Sequence, residues 1–363
     1  MVLKNNTLHS NENSRLKSVG RFFREAFTID FNKPLSIKNQ FMVMFVTLFI
    51  STVLFGVLCF INNTQVAEPP KQPAKPTAVQ SQKQTSRQES SQKVILNTEL
   101  MKKVDIISLP YEEIHNGELI LVNKEHQCTH NGESVVSLLN VKTGTYVVAD
   151  ASVSVDQGIV DNVNHMFDDF YDIYGESKVM IACGYRSSEL QSELYEAETD
   201  REGEDTADIW VAPPGYSEHQ TGYAFDLDLM VEDGGIGIDY DGKGNYSWLN
   251  ENCCQYGFIV RYLEGKENIT GYEYEPWHFR YVGVPAATYI MENELTLEEY
   301  MDTVQKYSIQ KPLMIKGIND EIWYTYYVPA QEKDKTEVPV PQNYSYTISG
   351  DNFSGFIVTV TIS

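Results

Sequence analysis

Two stretches concentrate the residues that decide the fold and the chemistry of this chain: GYSEHQTGYAFDLD at 215–228 and YEPWHFRYVG at 274–283. The first stretch holds His219 and, seven residues later, Asp226. Gly222 stands between them and lets the backbone turn tightly before a strand begins. We therefore expect a turn that presents a histidine next to a strand that presents a carboxylate.

The second stretch adds His278, with Glu275 three residues before it. One His and one Asp from the first stretch and His278 from the second make three candidate metal ligands. Zinc enzymes use three protein ligands and leave the fourth position for water, which then attacks a carbonyl at neutral pH. Glu275 is the candidate for taking the proton of that water. The spacing alone leaves open the alternative that these are ordinary polar residues.

The pattern around these stretches predicts an irregular mixture of strands and helices from residue 94 onward, which is typical of an α+β fold rather than a parallel α/β fold. Helical spacing or a helix-starting Ser predicts helices at 160–175, 187–198 and 295–307. Alternating or short apolar runs predict strands at 118–127, 143–155, 178–187, 223–231, 320–330, 343–350 and 354–363. The stretch 247–262 is expected to be a helix that enters a strand.

Four motifs in order make the chain resemble the VanY-type zinc D,D-carboxypeptidases. They are GYRSSELQ (184–191), SEHQTGYAFD (217–226), WLNENCCQYGFIVRY (248–262) and EPWHFRYVG (275–283). The resemblance implies a small antiparallel sheet with flanking helices around a zinc cleft, as in hedgehog and D,D-peptidase domains.

The resemblance also implies roles for individual residues. One zinc ion would be held by His219, Asp226 and His278, with Glu275 as general acid and base. Arg186 would bind the substrate carboxylate or the developing oxyanion, a role that suits a planar guanidinium. Ser217 would form a hydrogen bond near the metal or the substrate, and Trp277 would form a wall of the site. Gln191 would either support Arg186 or line the cleft.

The implied reaction is removal of the C-terminal D-Ala from peptidoglycan pentapeptides that end in D-Ala-D-Ala. Two alternatives stay open: an L,D-carboxypeptidase that acts on tetrapeptides, or a catalytically silent ectodomain that binds the cell wall. The shared motifs do not separate D,D- from L,D-carboxypeptidases, D,D-dipeptidases or endopeptidases.

Residues 41–61 form a run of 21 uncharged, mostly apolar residues. As a helix, this run would span roughly 32 Å, enough to cross a bilayer once. The preceding segment, 1–40, is basic, so the positive-inside rule predicts a cytoplasmic N-terminus and an extracellular C-terminal part. A cleaved signal peptide is the alternative, but the run is long for one and no cleavage motif follows it.

Residues 62–93 are rich in Pro, Gln, Ser and Lys and lack aromatic residues, which predicts a disordered linker. The catalytic domain is then expected at 94–291, and a small β-rich module of unknown role at 292–363. Residues 94–363 carry 16 basic and 46 acidic side chains, a net charge of -30. That charge disfavours nucleic acid as a partner.

Four cysteines follow the predicted anchor: Cys128, Cys183, Cys253 and Cys254. Outside the cell disulfides are possible, and a Cys183–Cys253 bridge would join two motif segments. A bond between the adjacent Cys253 and Cys254 would be strained and is less favoured. We expect no thiolate ligand to zinc, because the resemblance already supplies a complete His/Asp/His set.

Overall fold

The computed structural model describes residues 103–130, 132–176, 178–230, 238–332 and 334–362, which all belong to one compact unit, Ser81–Ser363. The predicted cytoplasmic segment (1–40), transmembrane helix (41–61) and linker (62–93) lie outside the described residues. Within the described residues, every helix is too short or too polar to cross a membrane.

The strands and α-helices are numbered here in chain order. The strands are β1 Val104–Leu109, β2 Val135–Ser137, β3 Val147–Val148, β4 Ser154–Asp156, β5 Val179–Cys183, β6 Ala224–Leu229, β7 Ile238–Asp239, β8 Phe258–Tyr262, β9 Glu275–Tyr281, β10 Leu313–Lys316, β11 Ile322–Pro329, β12 Thr336–Pro341, β13 Ser345–Gly350 and β14 Gly355–Thr361. The helices are α1 Leu138–Val141, α2 Val160–Tyr174, α3 Ser188–Glu202, α4 Glu204–Trp210, α5 Ser247–Asn252, α6 Glu267–Thr270, α7 Val284–Glu292 and α8 Leu297–Val304.

The central sheet has the order β3-β5-β6-β9-β8, and β7 pairs with β6. Only β3 and β5 run parallel among these described strands; the other pairs are antiparallel. All five residues of β8 are buried, so this strand is covered on both faces. The mixed α+β architecture is therefore the one that the sequence pattern predicts.

Helix α2 covers one face of the sheet because its apolar residues recur at helical spacing. Val163, Phe167 and Phe170 are almost fully buried in the cluster that also contains Phe225 of β6. Gly175 ends the helix with φ of 64°, a left-handed conformation that glycine adopts without a steric penalty. The predicted helix at 160–175 is thus confirmed to within one residue.

Strands between residues 313 and 361 form a second antiparallel sheet, in the order β10-β11-β14-β13. The predicted strands at 320–330, 343–350 and 354–363 correspond to β11, β13 and β14. Strand β1, from the other end of the described region, pairs antiparallel with β12. Residues that precede the motif-bearing strands in the chain and residues that follow them thus both contribute to this part of the fold.

Helices α7 and α8 join the two sheets through one apolar cluster. Leu297 and Met301 of α8 pack in the same cluster as Ile259 of β8, Ala287 of α7 and Ile357 of β14. Residues after 292 therefore share a core with the strands that carry the motifs.

The predicted strand at 118–127 is wrong. The segment is irregular apart from a single bridge between Asn123 and His126, although Leu119 to Val122 are buried. Several of its carbonyl groups accept hydrogen bonds from side chains rather than from a neighbouring strand. The guanidinium of Arg280 donates to the carbonyls of Glu118 and Ile120, at 2.9 Å each.

The predicted strand at 143–155 is also only partly correct, because the chain breaks it into β3 and β4. Between them, Asp150 accepts a hydrogen bond from the backbone N–H of Ser152 at 2.7 Å. A side-chain-to-backbone bond of this kind forms a local turn that competes with the strand.

Replacing Leu297 with Ala is expected to lower the free energy of unfolding by about 2–5 kcal/mol, because removing a fully buried side chain leaves a cavity. Urea or thermal unfolding measures this change. Leu190→Ala, at a position of α3 that is 44% exposed, is the matched control and should cost less than about 1 kcal/mol. If Leu297→Ala lowered the free energy of unfolding as little as Leu190→Ala does, the packing of α8 against the central sheet would be contradicted.

Candidate metal centre and active site

The pairing of β6 with β9 brings two of the predicted ligands face to face. Asp226 lies directly opposite His278 in the antiparallel register. His219 comes from a short 3₁₀ helix, Glu218–Thr221, that precedes β6. Gly222 ends that turn with φ of 76°, which directs the chain into the strand.

Three potential ligand groups converge at this point. Nε2 of His219 lies 3.1 Å from Oδ2 of Asp226, and Nδ1 of His278 lies 3.0 Å from Oδ1 of the same carboxylate. The two imidazole rings are nearly perpendicular, with centroids 4.9 Å apart. Within the described residues, His219 Nε2 and Asp226 Oδ1 are buried yet make no aligned hydrogen bond. Buried, unpaired nitrogen and oxygen atoms that converge in this way fit a cation.

The outer nitrogen of each imidazole is held by a different acceptor. Nδ1 of His219 donates to the carbonyl of Gly184 at 2.7 Å, and Nε2 of His278 donates to Oε2 of Glu218 at 3.3 Å. These bonds select the tautomers that leave lone pairs on His219 Nε2 and His278 Nδ1. Gly184 is required there, because a Cβ would lie 2.1 Å from the carbonyl oxygen of Ser154.

The electrostatics of the metal-free centre favour positive charge. Burial and Arg186 act to lower the pKa of His219, but Asp226 and Cys183 outweigh them and raise it to about 10. The same carboxylate would stabilise a metal cation, whose binding releases the imidazole protons.

Glu275 lies beside this group, with Oε2 3.8 Å from Nδ1 of His278. Burial, reinforced by the nearby Asp226, raises the pKa of Glu275 to about 7, although His278, His219 and Arg186 act to lower it. A carboxyl group with this pKa can accept and return a proton near neutral pH.

The remaining predicted residues surround the same cleft. Arg186, Ser217 and Trp277 line it together with the three ligand residues and Glu275. Nη2 of Arg186 lies 3.4 Å from Oδ2 of Asp226. Gln191 is fully buried behind Arg186: its Oε1 accepts from Nη1 of Arg186 at 3.0 Å, and its Nε2 donates to the carbonyl of Ala212 at 2.7 Å. Gln191 therefore supports Arg186 instead of lining the cleft.

Apart from Trp277, the sequence did not single out the aromatic residues that line or adjoin the cleft. Trp210, at the end of α4, is 47% exposed and lines the cleft. Tyr262 of β8 contacts His278, with ring centroids 5.0 Å apart, and Tyr272 packs on Tyr262. Two of these residues lie in or beside the motifs, but tyrosines in apolar runs are also common core residues, so nothing in the pattern distinguished them.

Buried charges behind the centre were also missed. Glu218 is fully buried and is paired with Arg261 at 2.8 Å and with Arg280 at 3.0 Å. Burial acts to raise the pKa of Glu218, but the two guanidinium groups hold it well below its usual range. The sequence did hold one indication of this pairing: an arginine lies in each of two predominantly buried strands, FIVRY and EPWHFRY. A buried arginine needs an acidic partner.

The four described cysteines are free thiols, so the Cys183–Cys253 disulfide does not form. Cys183, His219 and Asp226 lie close enough together to be an alternative metal-holding group. However, the thiol approaches Nδ1 of His219 at 3.8 Å, and that nitrogen already donates to Gly184. The lone pair on Nε2 instead faces Asp226, which favours the set that contains His278.

Comparisons with known proteins point to one family. Residues 152–284 match the family described as VanY: D-alanyl-D-alanine carboxypeptidase. A D-alanyl-D-alanine carboxypeptidase of Enterococcus faecium is 33% identical over 255 residues, covering 69% of this chain and 77% of that protein. The bifunctional D-Ala-D-Ala dipeptidase and D-Ala-D-Ala carboxypeptidase VanXYC of Enterococcus gallinarum is 40% identical over 129 residues, covering 35% of this chain and 68% of that protein.

A solved structure extends the likeness to the fold. The crystal structure of the vancomycin resistance D,D-dipeptidase VanXYg, in complex with a D-Ala-D-Ala phosphinate analogue, has a TM-score of 0.62 at 33% sequence identity. The match covers 72% of this chain and 100% of that chain. These relatives confirm the resemblance drawn from the four motifs, and with it that the protein is a carboxypeptidase. The chain belongs to the VanY family of D-alanyl-D-alanine carboxypeptidases.

Proposed function

We propose that the protein is a zinc peptidase that trims peptidoglycan stem peptides by removing the last D-Ala from pentapeptides that end in D-Ala-D-Ala. The observation that carries this proposal is the convergence of His219 Nε2, an Asp226 oxygen and His278 Nδ1 beside a buried Glu275. Two imidazoles and one carboxylate are a ligand set of catalytic zinc, which keeps a further position open.

When bound, zinc would polarise the scissile carbonyl and lower the pKa of water in the cleft. Glu275 would take the proton of the attacking water, since its pKa of about 7 lets it hold that proton briefly. The same carboxyl would then deliver the proton to the amine of the departing D-Ala. One residue would thus act first as base and then as acid.

Arg186 would bind the carboxylate at the end of the substrate or the oxyanion that forms during attack. A substrate anion is repelled at long range by a region with a net charge of -30, so the cleft needs a local cation. Gln191 holds the guanidinium by its Nη1. Ser217 and Trp277 would complete the pocket as a hydrogen-bonding group and a wall.

We further propose that the catalytic part works outside the cell, tethered by a helix at 41–61. The uncharged run of 21 residues and its basic flank support this orientation. The linker at 62–93 could extend to roughly 100 Å, which would let the enzyme reach into a polymeric wall.

The proposed reaction is tested by incubating the purified protein with pentapeptide stems, tetrapeptide stems and the free dipeptide D-Ala-D-Ala, with products read by mass spectrometry. We expect one alanine to be lost from the pentapeptide only. A chelator should stop the reaction and zinc should restore it. Cleavage of the tetrapeptide would move the assignment to the L,D class, and cleavage of the free dipeptide to the dipeptidases. A protein that binds zinc and cleaves none of these substrates would contradict the proposal and leave an endopeptidase. A protein that cleaves none of them and binds no zinc would revive the silent wall-binding domain.

Changing Glu275 to Gln should lower turnover of the pentapeptide by about 10²- to 10⁴-fold, because the amide cannot accept the proton of the attacking water. Zinc content, measured by elemental analysis, should stay at one per chain. Glu273→Gln, an exposed position two residues upstream, is the control and should keep wild-type turnover. Retained activity in the Glu275 variant would exclude this residue as the base.

A further inference from the structure

A continuous line of hydrogen-bonded side chains runs from the candidate metal centre to helix α8. It consists of His278, Glu218 and Arg261, which are buried, and Glu298, whose side chain is 15% exposed. His278 Nε2 lies 3.3 Å from Glu218 Oε2, and Arg261 Nε lies 2.8 Å from Glu218 Oε1. The guanidinium of Arg261 then contacts Glu298 at two points, Nη1 to Oε2 at 3.0 Å and Nη2 to Oε1 at 2.6 Å.

The two oxygens of Glu218 have separate partners. Oε1 accepts from Arg261 and from Arg280, whereas Oε2 faces His278. The side chains of Glu218, Arg261 and Arg280 are all 0% exposed, so water does not substitute for any of these bonds. The two guanidinium groups therefore fix the orientation of the Glu218 carboxylate. Its Oε2 holds Nε2 of His278, so that Nδ1 of the same ring faces Asp226.

Arg261 in turn depends on Glu298 for its own orientation. Its Nε points to Glu218, and both of its terminal nitrogens are held by the carboxylate of Glu298, so the planar fork is held from two sides. Without Glu298, the terminal nitrogens of Arg261 would be buried without these acceptors, which is energetically unfavourable. The guanidinium would then favour an orientation that no longer points to Glu218.

Helix α8 presents Glu298 in a fixed position. Thr296 and Glu299 form a capping box at the first turn of the helix. Asn123 also donates to Oε1 of Glu298 at 3.2 Å. Glu298 lies beyond residues 152–284, the part of the chain that matches the family, and in the segment for which the sequence offered no role.

We propose that Glu298 is a positioning residue for the metal centre: through Arg261 and Glu218 it keeps Nδ1 of His278 directed at the metal. This inference rests on the proposed zinc function. It gives the segment after residue 292 a part in building the centre, in addition to its part in the core.

The test is the zinc dissociation constant, measured by competition with a chelator of known affinity. Glu298→Gln keeps the length of the side chain but turns an amide N–H₂ or a single oxygen toward Arg261. We expect its zinc dissociation constant to rise about tenfold, the low end of the range for residues that support metal ligands. Asp302→Asn, an exposed position on the same helix, makes the same charge change and should stay within twofold of the wild type.

A double-mutant cycle distinguishes positioning from general stability. Glu218→Gln should raise the dissociation constant by 10- to 100-fold, and adding Glu298→Gln to it should have almost no further effect, because both act through the same contact. A Glu298→Gln protein that melts earlier in the metal-free form, yet binds zinc within twofold of the wild type, would overturn the proposal. So would fully additive effects in the cycle.

A conservative variant covers the case in which Glu298→Gln does not fold. Glu298→Asp keeps the charge but withdraws it by one methylene, which breaks the two-point contact with Arg261. Its zinc dissociation constant should rise at least threefold, and an unchanged value would also overturn the proposal. A wild-type protein that binds no zinc would instead refute the proposed function itself.

Discussion

The antiparallel register of β6 and β9 is the constraint on which the rest of the site depends. It sets Asp226 directly opposite His278 and leaves Glu275 at the start of the same strand as His278. A slip of one residue would turn every side chain of a strand to the other face. The register is held by burial, because Phe225 and Phe279, the neighbouring pair, are both fully buried and stack at a centroid distance of 5.6 Å. The apolar neighbours of the ligands thus decide where the ligands lie.

A second constraint is that the charged side chains buried in this core must pair with one another. Glu218, Arg261 and Arg280 could not be buried singly, because an isolated charge in a protein interior is strongly unfavourable. Their mutual pairing meets that requirement, and Nη2 of Arg280 donates to the backbone carbonyls of Glu118 and Ile120. The metal centre, the irregular segment at 118–127 and helix α8 are consequently parts of one buried polar network. This explains why the described part of the chain after residue 292 shares a core with the catalytic strands.

The sequence located the side chains that converge in the cleft better than the residues that support them, and the reason is physical. His219, Asp226, His278 and Glu275 lie in short motifs whose residue types suit metal and proton chemistry, so they can be recognised locally. Glu298 is an ordinary-looking residue in an amphipathic helix, and its role arises only from a contact with Arg261, 37 positions earlier in the chain. The predicted strand at 118–127 failed for the same reason, since several of its backbone groups bond to side chains from distant segments, among them Arg280 and Asn352. The elements with strong periodicity, such as α2, needed no such information.

X-ray absorption spectroscopy at the zinc edge identifies the metal ligands directly. The structure offers two sets, which differ only in whether His278 or Cys183 joins His219 and Asp226. For the zinc-loaded protein we expect only nitrogen and oxygen ligands at about 2.0–2.2 Å, including two imidazoles, and an unchanged spectrum for Cys183→Ser. A sulfur atom at about 2.3 Å that disappears in Cys183→Ser would contradict this expectation.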